Sequence, residues 1–149
     1  METSSEPAAD LAEDVVLAVI ATGAALQQRL DNALGDIKGI TFSEHRLLSS
    51  IANSAGNSGS RVDLARSVGL TPSGVTRALR PLEKLGMVET IRDTRDARRS
   101  LASLTPQGQE LLADAEGVLA DAVRAFHPVQ EMPPEVAEQL LQALERLNR

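Results

Sequence analysis

The chain has 149 residues and a formal net charge of −6, and it contains no cysteine. This length suits one domain with a modest core, and the lack of cysteine excludes a disulfide, a thiolate zinc site and a thiol redox switch. The apolar residues are mostly Ala, Leu, Val and Ile, without Trp or Tyr, which favours helices and argues against an aromatic-lined site. No apolar run is long enough to span a bilayer, and the acidic start, residues 1–10, has the character of a frayed tail and not of a secretion signal. We therefore expect a cytoplasmic protein without membrane contact.

Two helices are predicted in the first third of the chain. Apolar residues recur at helical spacing over residues 11–34, which predicts a long amphipathic helix. Gly35 and Gly39 bracket the loop expected after it. Thr41 and Glu44 have the spacing of a capping box, in which two side chains satisfy the free amides at a helix start, so a second helix should begin there. Its buried side should carry Leu47, Leu48 and Ile51.

The next stretch has the spacing of a helix-turn-helix. Ala65 is small where two helices must nearly touch, and Gly69 suits the left-handed conformation that ends a helix. Val75, six residues further on, would be the apolar residue that packs the second helix onto the first. Both helices have capping residues at their starts: Ser60 with Asp63, and Thr71 followed by Pro72.

The second helix of this motif, residues 71–85, divides into an apolar and a polar face. The polar face carries hydroxyl, guanidinium and ammonium groups, the groups that contact base edges and phosphates in the major groove: Ser73, Thr76, Arg77, Arg80 and Lys84. Arg77 lies in the half of the helix that enters the groove, so we expect it to read a base. Arg80 and Lys84 should instead contact phosphates. Pro81 removes a backbone donor and predicts a kink or an early helix end near Arg80.

A hairpin is predicted directly after this helix. Gly86 should end the helix, and alternating apolar residues then predict two short strands, residues 87–91 and 100–104. A hairpin in this place is a wing, and here the sequence resembles the MarR family of bacterial regulators (multiple antibiotic resistance regulator type). Three motifs carry the resemblance: Leu82-Glu-Lys-Leu-Gly-Met-Val88, Asp96-Ala-Arg98 and Leu104-Thr-Pro-Gln-Gly108. The likeness extends over most of the chain, but its specific motifs lie between residues 65 and 108.

The wing adds five charged residues to the candidate DNA-binding set: Arg92, Arg95, Asp96, Arg98 and Arg99. Arg95 lies near the tip and should probe a narrow minor groove, whose negative potential attracts arginine. The resemblance implies that the Asp96 carboxylate holds the Arg98 side chain in position for the DNA backbone. Arg92 and Arg99 could contact phosphate or be solvated charges at the rim, and both alternatives stay open.

The charge distribution reconciles DNA binding with an acidic chain. Residues 61–99 contain nine of the 15 basic and five of the 21 acidic residues, a local charge of +4. The remainder keeps six basic and 16 acidic residues, a charge of −10. Because phosphates meet the local patch and not the net charge, the acidic remainder should help to orient the patch toward DNA. The alternative is a chance cluster of solvated charges.

Two more helices are predicted after the wing. Thr105 caps the first, Pro106 begins it, and the pair Pro133-Pro134 separates it from the last. With the first helix of the chain, they carry more apolar surface than one winged domain could cover. We expect them to interleave with a second copy, as the resemblance also implies, the alternative being that they cover only their own domain. The predicted division is a tail at 1–10, a dimerisation region at 11–40 and 105–149, and a winged helix-turn-helix region at 41–104, all in one intertwined domain.

The predicted fold is mainly α with a small β wing (α+β), a winged helix-turn-helix flanked by long dimerisation helices. The predicted function is that of a homodimeric, sequence-specific transcription regulator that represses by binding double-stranded DNA at a pseudo-palindromic operator. A non-specific architectural DNA binder and a protein-interaction module are the alternatives. Family members often release DNA when a small aromatic or anionic molecule binds, but the sequence names no such effector.

No enzyme, cofactor or metal is expected. The sequence has no nucleophile–base pair, phosphate-binding loop or catalytic carboxylate pair. Its two histidines, His45 and His127, stand apart in the sequence and have no cysteine to complete a metal site. His45 could touch a ligand near the dimer junction, but an exposed or hydrogen-bonded histidine is the expected state.

Overall fold

The computed structural model describes residues 6–96 and 98–148, with side chains from residue 10 onward. Within these residues, seven α-helices, one short 3-10 turn and three strands follow one another. In chain order they are α1 (Glu6–Lys38), α2 (Phe42–Ala52), the 3-10 turn (Ala55–Asn57), β1 (Ser58–Ser60), α3 (Arg61–Val68), α4 (Pro72–Lys84), β2 (Val88–Arg92), β3 (Ser100–Leu104), α5 (Pro106–Arg124), α6 (His127–Gln130) and α7 (Pro134–Leu147).

The helix ends follow the local signals in the sequence. At α2 the Thr41 hydroxyl accepts a hydrogen bond from the Glu44 amide at 3.1 Å, and the Glu44 carboxylate accepts one from the Thr41 amide at 2.8 Å. The capping box is thereby confirmed. Gly69 ends α3 with a φ of +73°, and the Thr71 hydroxyl caps α4 by accepting from the Gly74 amide. The helices α3 and α5 are capped in the same way by Ser60 and Thr105.

Helix α1 is longer than the sequence predicted at both ends. Residues 6–10 are helical and do not belong to a tail, whereas residues 1–5 of the predicted tail lie outside the described residues. The helix also runs through Gly35, and of these two glycines only Gly39 is left-handed, with a φ of +68°. A glycine inside a helix costs about 1 kcal/mol relative to alanine. The neighbouring Leu34 is fully buried, and its packing offsets this cost.

The three strands form an antiparallel sheet in the order β1–β3–β2. β2 and β3 pair from Val88 opposite Leu104 to Arg92 opposite Ser100. The predicted hairpin is confirmed, with its first strand shifted by one residue. β1 lies in a stretch that reads as a loop, because Ser-Gly-Ser lacks the β-branched and aromatic residues that mark strands. It is a strand because its backbone pairs with the second edge of β3.

One hydrophobic core joins the winged part to the long helices. Its centre is formed by the buried faces of α2, α3 and α4, and β2 and β3 close one side of it. α1 contributes Leu34, and α5 contributes Leu112 and Ala115. Because the same core holds both parts, the wing and the long helices cannot pack independently. The fully buried large side chains are Leu34, Leu47, Leu48, Ile51, Leu64, Val75, Leu79 and Leu82.

Helix α5 begins directly at the base of the wing, with a single residue between it and β3. That residue, Thr105, donates a backbone hydrogen bond to the Met87 carbonyl at 3.1 Å, and its hydroxyl donates to the Gly86 carbonyl at 2.6 Å. The same hydroxyl accepts from the Gly108 amide at 3.1 Å. A Cβ on Gly108 would overlap the Met87 carbonyl oxygen, so the first turn of α5 lies directly against the backbone at the start of the hairpin.

The apolar faces of α1 and α7 stay uncovered within one chain. α7 buries none of its residues, and Leu141 on this helix is 59% exposed. Between α1 and the last two helices lies an apolar groove of about 750 Å³, lined among others by Val15, Val19, Leu26, Phe126, Leu141 and Leu144. Within residues 6–96 and 98–148, every helix is too short or too polar to serve as a membrane span.

Candidate nucleic-acid interface

Helix α4 has one face in the core and the other in solvent. Val75, Leu79 and Leu82 expose no surface, and their spacing fixes the rotation of the helix about its axis. The polar residues between them must therefore point away from the core. The structure places all five predicted residues on this outer side, with Thr76 half-buried and the others exposed: Ser73, Thr76, Arg77, Arg80 and Lys84.

The hydroxyl and the cationic groups on this outer side differ in how they are held. The Thr76 hydroxyl donates to the Pro72 carbonyl at 3.0 Å, and the Ser73 hydroxyl lies 3.1 Å from that of Thr71. In the described part of the chain, the Arg77 and Arg80 side chains form no hydrogen bond or ion pair, and neither does Lys84. The hydroxyls already have intramolecular partners, whereas the cations are available to an external anion.

Pro81 does not end α4. The helix continues to Lys84, so of the two expected alternatives the early end near Arg80 is wrong, whereas the kink stays a prediction. The physical reason is tertiary, because Leu79 and Leu82 on either side of the proline are fully buried and hold the last turn against the core. Pro81 is itself exposed, and it has no N–H to donate to the Arg77 carbonyl four residues earlier. That carbonyl is left as a free acceptor beside the cations.

The wing hairpin is closed by a turn that two aspartates stabilise. The Asp93 carboxylate accepts from the Arg95 amide at 2.8 Å, and the Asp96 carboxylate accepts from the Arg98 amide at 3.0 Å. Backbone bonds complete the closure, since the Asp93 amide donates to the Arg99 carbonyl and the Arg99 amide to the Asp96 carbonyl. These bonds hold the backbone on either side of residue 97, which lies outside the described residues, and leave the Arg95 and Arg98 side chains exposed.

The relation between Asp96 and Arg98 differs from the one that the resemblance implied. The carboxylate bonds to the backbone amide of Arg98, and among the described residues it forms no ion pair with the guanidinium. An aspartate two residues before an amide is well placed for such a turn. Asp96 thus shapes the turn and leaves the Arg98 side chain exposed. This corrects how the pair is held and leaves its contact with DNA a prediction.

The remaining wing arginines lie in different surroundings. Arg92 and Arg95 are exposed. The Arg99 guanidinium lies 3.7 Å from the Asp63 carboxylate of α3, and the two side chains are 52% and 59% exposed. Such an open pair contributes little to stability, but it draws Arg99 toward the body of the domain and away from the tip.

One arginine outside the predicted set proves central to this surface. The Arg61 guanidinium, at the start of α3, donates to the hydroxyls of Thr90 on β2 at 3.1 Å and of Ser100 on β3 at 3.2 Å. It also lies 3.5 Å from the Glu83 carboxylate of α4, which accepts from the Thr90 hydroxyl at 2.8 Å. We call these four residues the Arg61 cluster. The one signal in the sequence is a cation in the first turn of a helix, where the helix dipole disfavours it.

His45 is buried, contrary to the expectation of an exposed or hydrogen-bonded side chain. It is 9% exposed, and among the described residues neither ring nitrogen has a hydrogen-bond partner. Burial lowers its pKa below the ordinary value, while the negative charge of Glu116 partly opposes this. Its ring stacks on Phe42 beside a shallow depression of about 530 Å³. Among the described residues, no three His, Asp or Glu side chains are grouped as a metal site requires.

Comparison with known proteins finds a family model and several solved structures that are similar to this chain. A model of the MarR family matches residues 38–99 of the chain. Sco3205, a MarR family transcriptional regulator from Streptomyces coelicolor solved in complex with DNA, is 26% identical with a TM-score of 0.81, over 99% of this chain and 89% of that one. A comparison with curated protein sequences returns no match.

Two further solved structures share the fold at lower identity. A MarR mutant from E. coli complexed with operator DNA has a TM-score of 0.79 at 19% identity, over 90% of this chain and 93% of that one. CouR from Rhodococcus jostii RHA1, bound to p-coumaroyl-CoA, has a TM-score of 0.77 at 24% identity, over 92% and 93% of the two chains.

Proposed function

We propose that this chain, which resembles MarR family transcriptional regulators in residues 38–99 and in its fold, is a dimeric, sequence-specific DNA-binding regulator that represses transcription by occupying a promoter. The observation that carries the proposal is α4. Its inner face is fixed in the core by three fully buried residues, and its outer face presents cations that have no partner within the described chain. Such a helix, followed directly by a wing, suits the major groove with the wing beside it.

The proposal assigns roles to the residues of α4. Arg77, in the N-terminal half, contacts base edges with Ser73 and Thr76 nearby, while Arg80 and Lys84 bind phosphates. The free carbonyl of Arg77 adds an acceptor on the same side of the helix.

The wing adds a second set of contacts in the proposed complex. Arg95 enters the minor groove. Asp96 holds the turn that presents Arg95, and the other three arginines of the wing contact the backbone or its rim: Arg92, Arg98 and Arg99.

The partner in self-association is a second copy of the chain. Residues 11–40 and 105–149 form the proposed dimerisation region, because α1 and α7 leave apolar faces that their own chain does not cover. A two-fold dimer binds two half-sites in opposite orientations, so the operator is pseudo-palindromic with half-site centres about 10 bp apart or a multiple of that. We place the protein in the cytoplasm, where such an operator lies.

A small-molecule effector forms part of the proposal. CouR, which shares the fold, is solved with p-coumaroyl-CoA bound. In the present chain, the depression beside His45 lies between α2 and α3, close to the core that joins the long helices to the winged part. A ligand that changed this packing would change the orientation of α4. We assign no ligand identity.

Selection of bound duplexes from a random pool, followed by titration at several salt concentrations, tests the function. We expect one enriched pseudo-palindrome and a preference for it of about 10³-fold or more over random DNA. A double variant, Arg77→Ala with Arg80→Ala, serves as the control and should lose both the preference and part of the salt dependence. A steep salt slope without preference would instead indicate architectural binding, and absence of binding would indicate a protein-interaction module.

A further inference from the structure

The Arg61 cluster brings four elements together at one guanidinium. Arg61 is the first residue of α3, Glu83 lies in the last turn of α4, and Thr90 and Ser100 lie on the two strands of the wing. The Arg61 side chain is 21% exposed and that of Glu83 31%, so both are largely shielded from solvent. Among the described residues, the bond between Glu83 and Thr90 is the one side-chain hydrogen bond that joins α4 to the strands of the hairpin.

The strand register explains how one side chain reaches both strands. Ser100 pairs with Arg92, which lies two residues beyond Thr90 on β2. Since side chains two apart in a strand point to the same face, Thr90 and Ser100 are diagonal neighbours on one face of the hairpin. The Arg61 guanidinium bonds to both hydroxyls, and the Glu83 carboxylate accepts from Thr90 as well. The polar contacts therefore join both strands of the hairpin to α3 through Arg61, and to α4 through Glu83.

The position of Arg61 costs free energy, which its contacts with the hairpin and with Glu83 must offset. A cation in the first turn of a helix opposes the helix dipole, and shielding it from water adds a desolvation penalty. Arg61 also neutralises Glu83, a carboxylate adjacent to Lys84 on the helix proposed to approach phosphates. A guanidinium is planar and has several fixed donors, so it can serve three acceptors at once, which an ammonium cannot do with the same geometry.

We propose that Arg61 is a positioning residue for DNA binding, which fixes the wing against α4 so that Arg95 and the outer face of α4 reach their two grooves together. The inference rests on the proposed function. Arg61 acts through the elements it joins and does not itself touch DNA, because its guanidinium is directed at Glu83, Thr90 and Ser100.

A double-mutant cycle on operator affinity tests the inference, using the full-length chain and the duplex enriched from the random pool. Arg95→Ala should weaken binding about tenfold in the otherwise unchanged chain, as loss of one groove contact does. In an Arg61→Met background the same change should cost less than about threefold, because the wing no longer delivers Arg95 to its groove. Hydroxyl-radical footprints should lose the wing protection and keep that of α4.

A control on the same helix is Arg66→Met. The Arg66 side chain is 79% exposed, and in the described part of the chain its one ion-pair partner is Asp63, at 3.7 Å. The cost of Arg95→Ala should stay about tenfold in this background. If Arg61→Met does not fold, Thr90→Val removes the hydroxyl that bridges Arg61 and Glu83, and it should reduce the cost of Arg95→Ala in the same direction.

The outcomes distinguish the positioning role of Arg61 from the proposed DNA-binding function. An unchanged cost of Arg95→Ala in the Arg61→Met or Thr90→Val background, with the unchanged chain binding its operator, overturns the positioning role and leaves the proposed function intact. If the background change merely reduced the fraction of active protein, the apparent affinity would fall while the cost of Arg95→Ala stayed unchanged. That result also counts against positioning. Absence of operator binding by the unchanged chain overturns the proposed function, and the inference falls with it.

Discussion

Leu141→Ala is expected to weaken self-association of the protein about 10- to 100-fold. Leu141 lies on α7 and is 59% exposed within a single chain. Burying a whole leucine side chain stabilises by about 1.5–3 kcal/mol, so burying this exposed part against a second copy contributes about 0.9–1.8 kcal/mol. A two-fold interface uses each surface twice, which gives about 2–3.5 kcal/mol per dimer. Alanine keeps only the Cβ, so most of this is lost, and each 1.4 kcal/mol changes the dissociation constant about tenfold.

Sedimentation over a wide range of protein concentration measures this effect directly. Leu85→Ala is a matched control, because Leu85 is 61% exposed but lies after α4, away from the α1–α7 groove. Its dissociation constant should equal that of the unchanged protein, and thermal unfolding should show that both variants remain folded. Equal dissociation constants for Leu141→Ala and Leu85→Ala would refute the interface, as would a monomeric unchanged chain at all concentrations.

Three further results are expected. Arg77→Ala should relax the base preference at one symmetric pair of operator positions, whereas Arg80→Ala should weaken binding to all duplexes alike and reduce the salt slope by about one. Binding to a panel of single-base operator changes measures both effects, and the reverse pattern would exchange the two roles. Asp96→Ala removes the acceptor of the Arg98 amide, so it should weaken operator binding by loosening the wing turn, and stronger binding would mean that its charge chiefly repels phosphates. Burial lowers the pKa of His45 below its usual value of about 6.5, so as the pH falls the unfolded chain binds a proton at this residue before the folded chain does. The free energy of unfolding measured in urea should therefore fall as the pH drops below about 6.5, and His45→Gln should lessen that fall.

The local features of the fold were predictable because they depend on short spacings. Gly69 and the capping pair Thr41 and Glu44 act on neighbours within four residues, and the structure confirms them. The errors occurred where distant packing overrides a local preference. Gly35 and Pro81 each disfavour helix, yet both are helical because fully buried leucines beside them hold the backbone in place.

The candidate site likewise has features that local spacing predicts and contacts that only the folded chain brings about. The outer face of α4 follows from the helical period alone, so the sequence predicts which of its side chains share a side. The wing turn depends on backbone hydrogen bonds, and a sequence motif does not distinguish a carboxylate that bonds to the Arg98 amide from one that bonds to its guanidinium. Arg61 contacts residues 22, 29 and 39 positions away. No periodicity encodes contacts at such separations, so this residue could be assigned only from the structure.

The junction at Thr105 makes α5 a lever arm for the winged part. α5 has 19 residues and is therefore about 28 Å long, and its first turn is fixed to the hairpin by the Thr105 bonds and by the close approach of Gly108 to Met87. With no flexible segment to absorb motion, a tilt of about 10° at the far end of α5 displaces the winged part by about 5 Å. Successive base pairs are about 3.4 Å apart. A small change in the angle between the long helices of two copies would thus shift each α4 by more than one base pair, and the two α4 helices would no longer match the spacing of the half-sites.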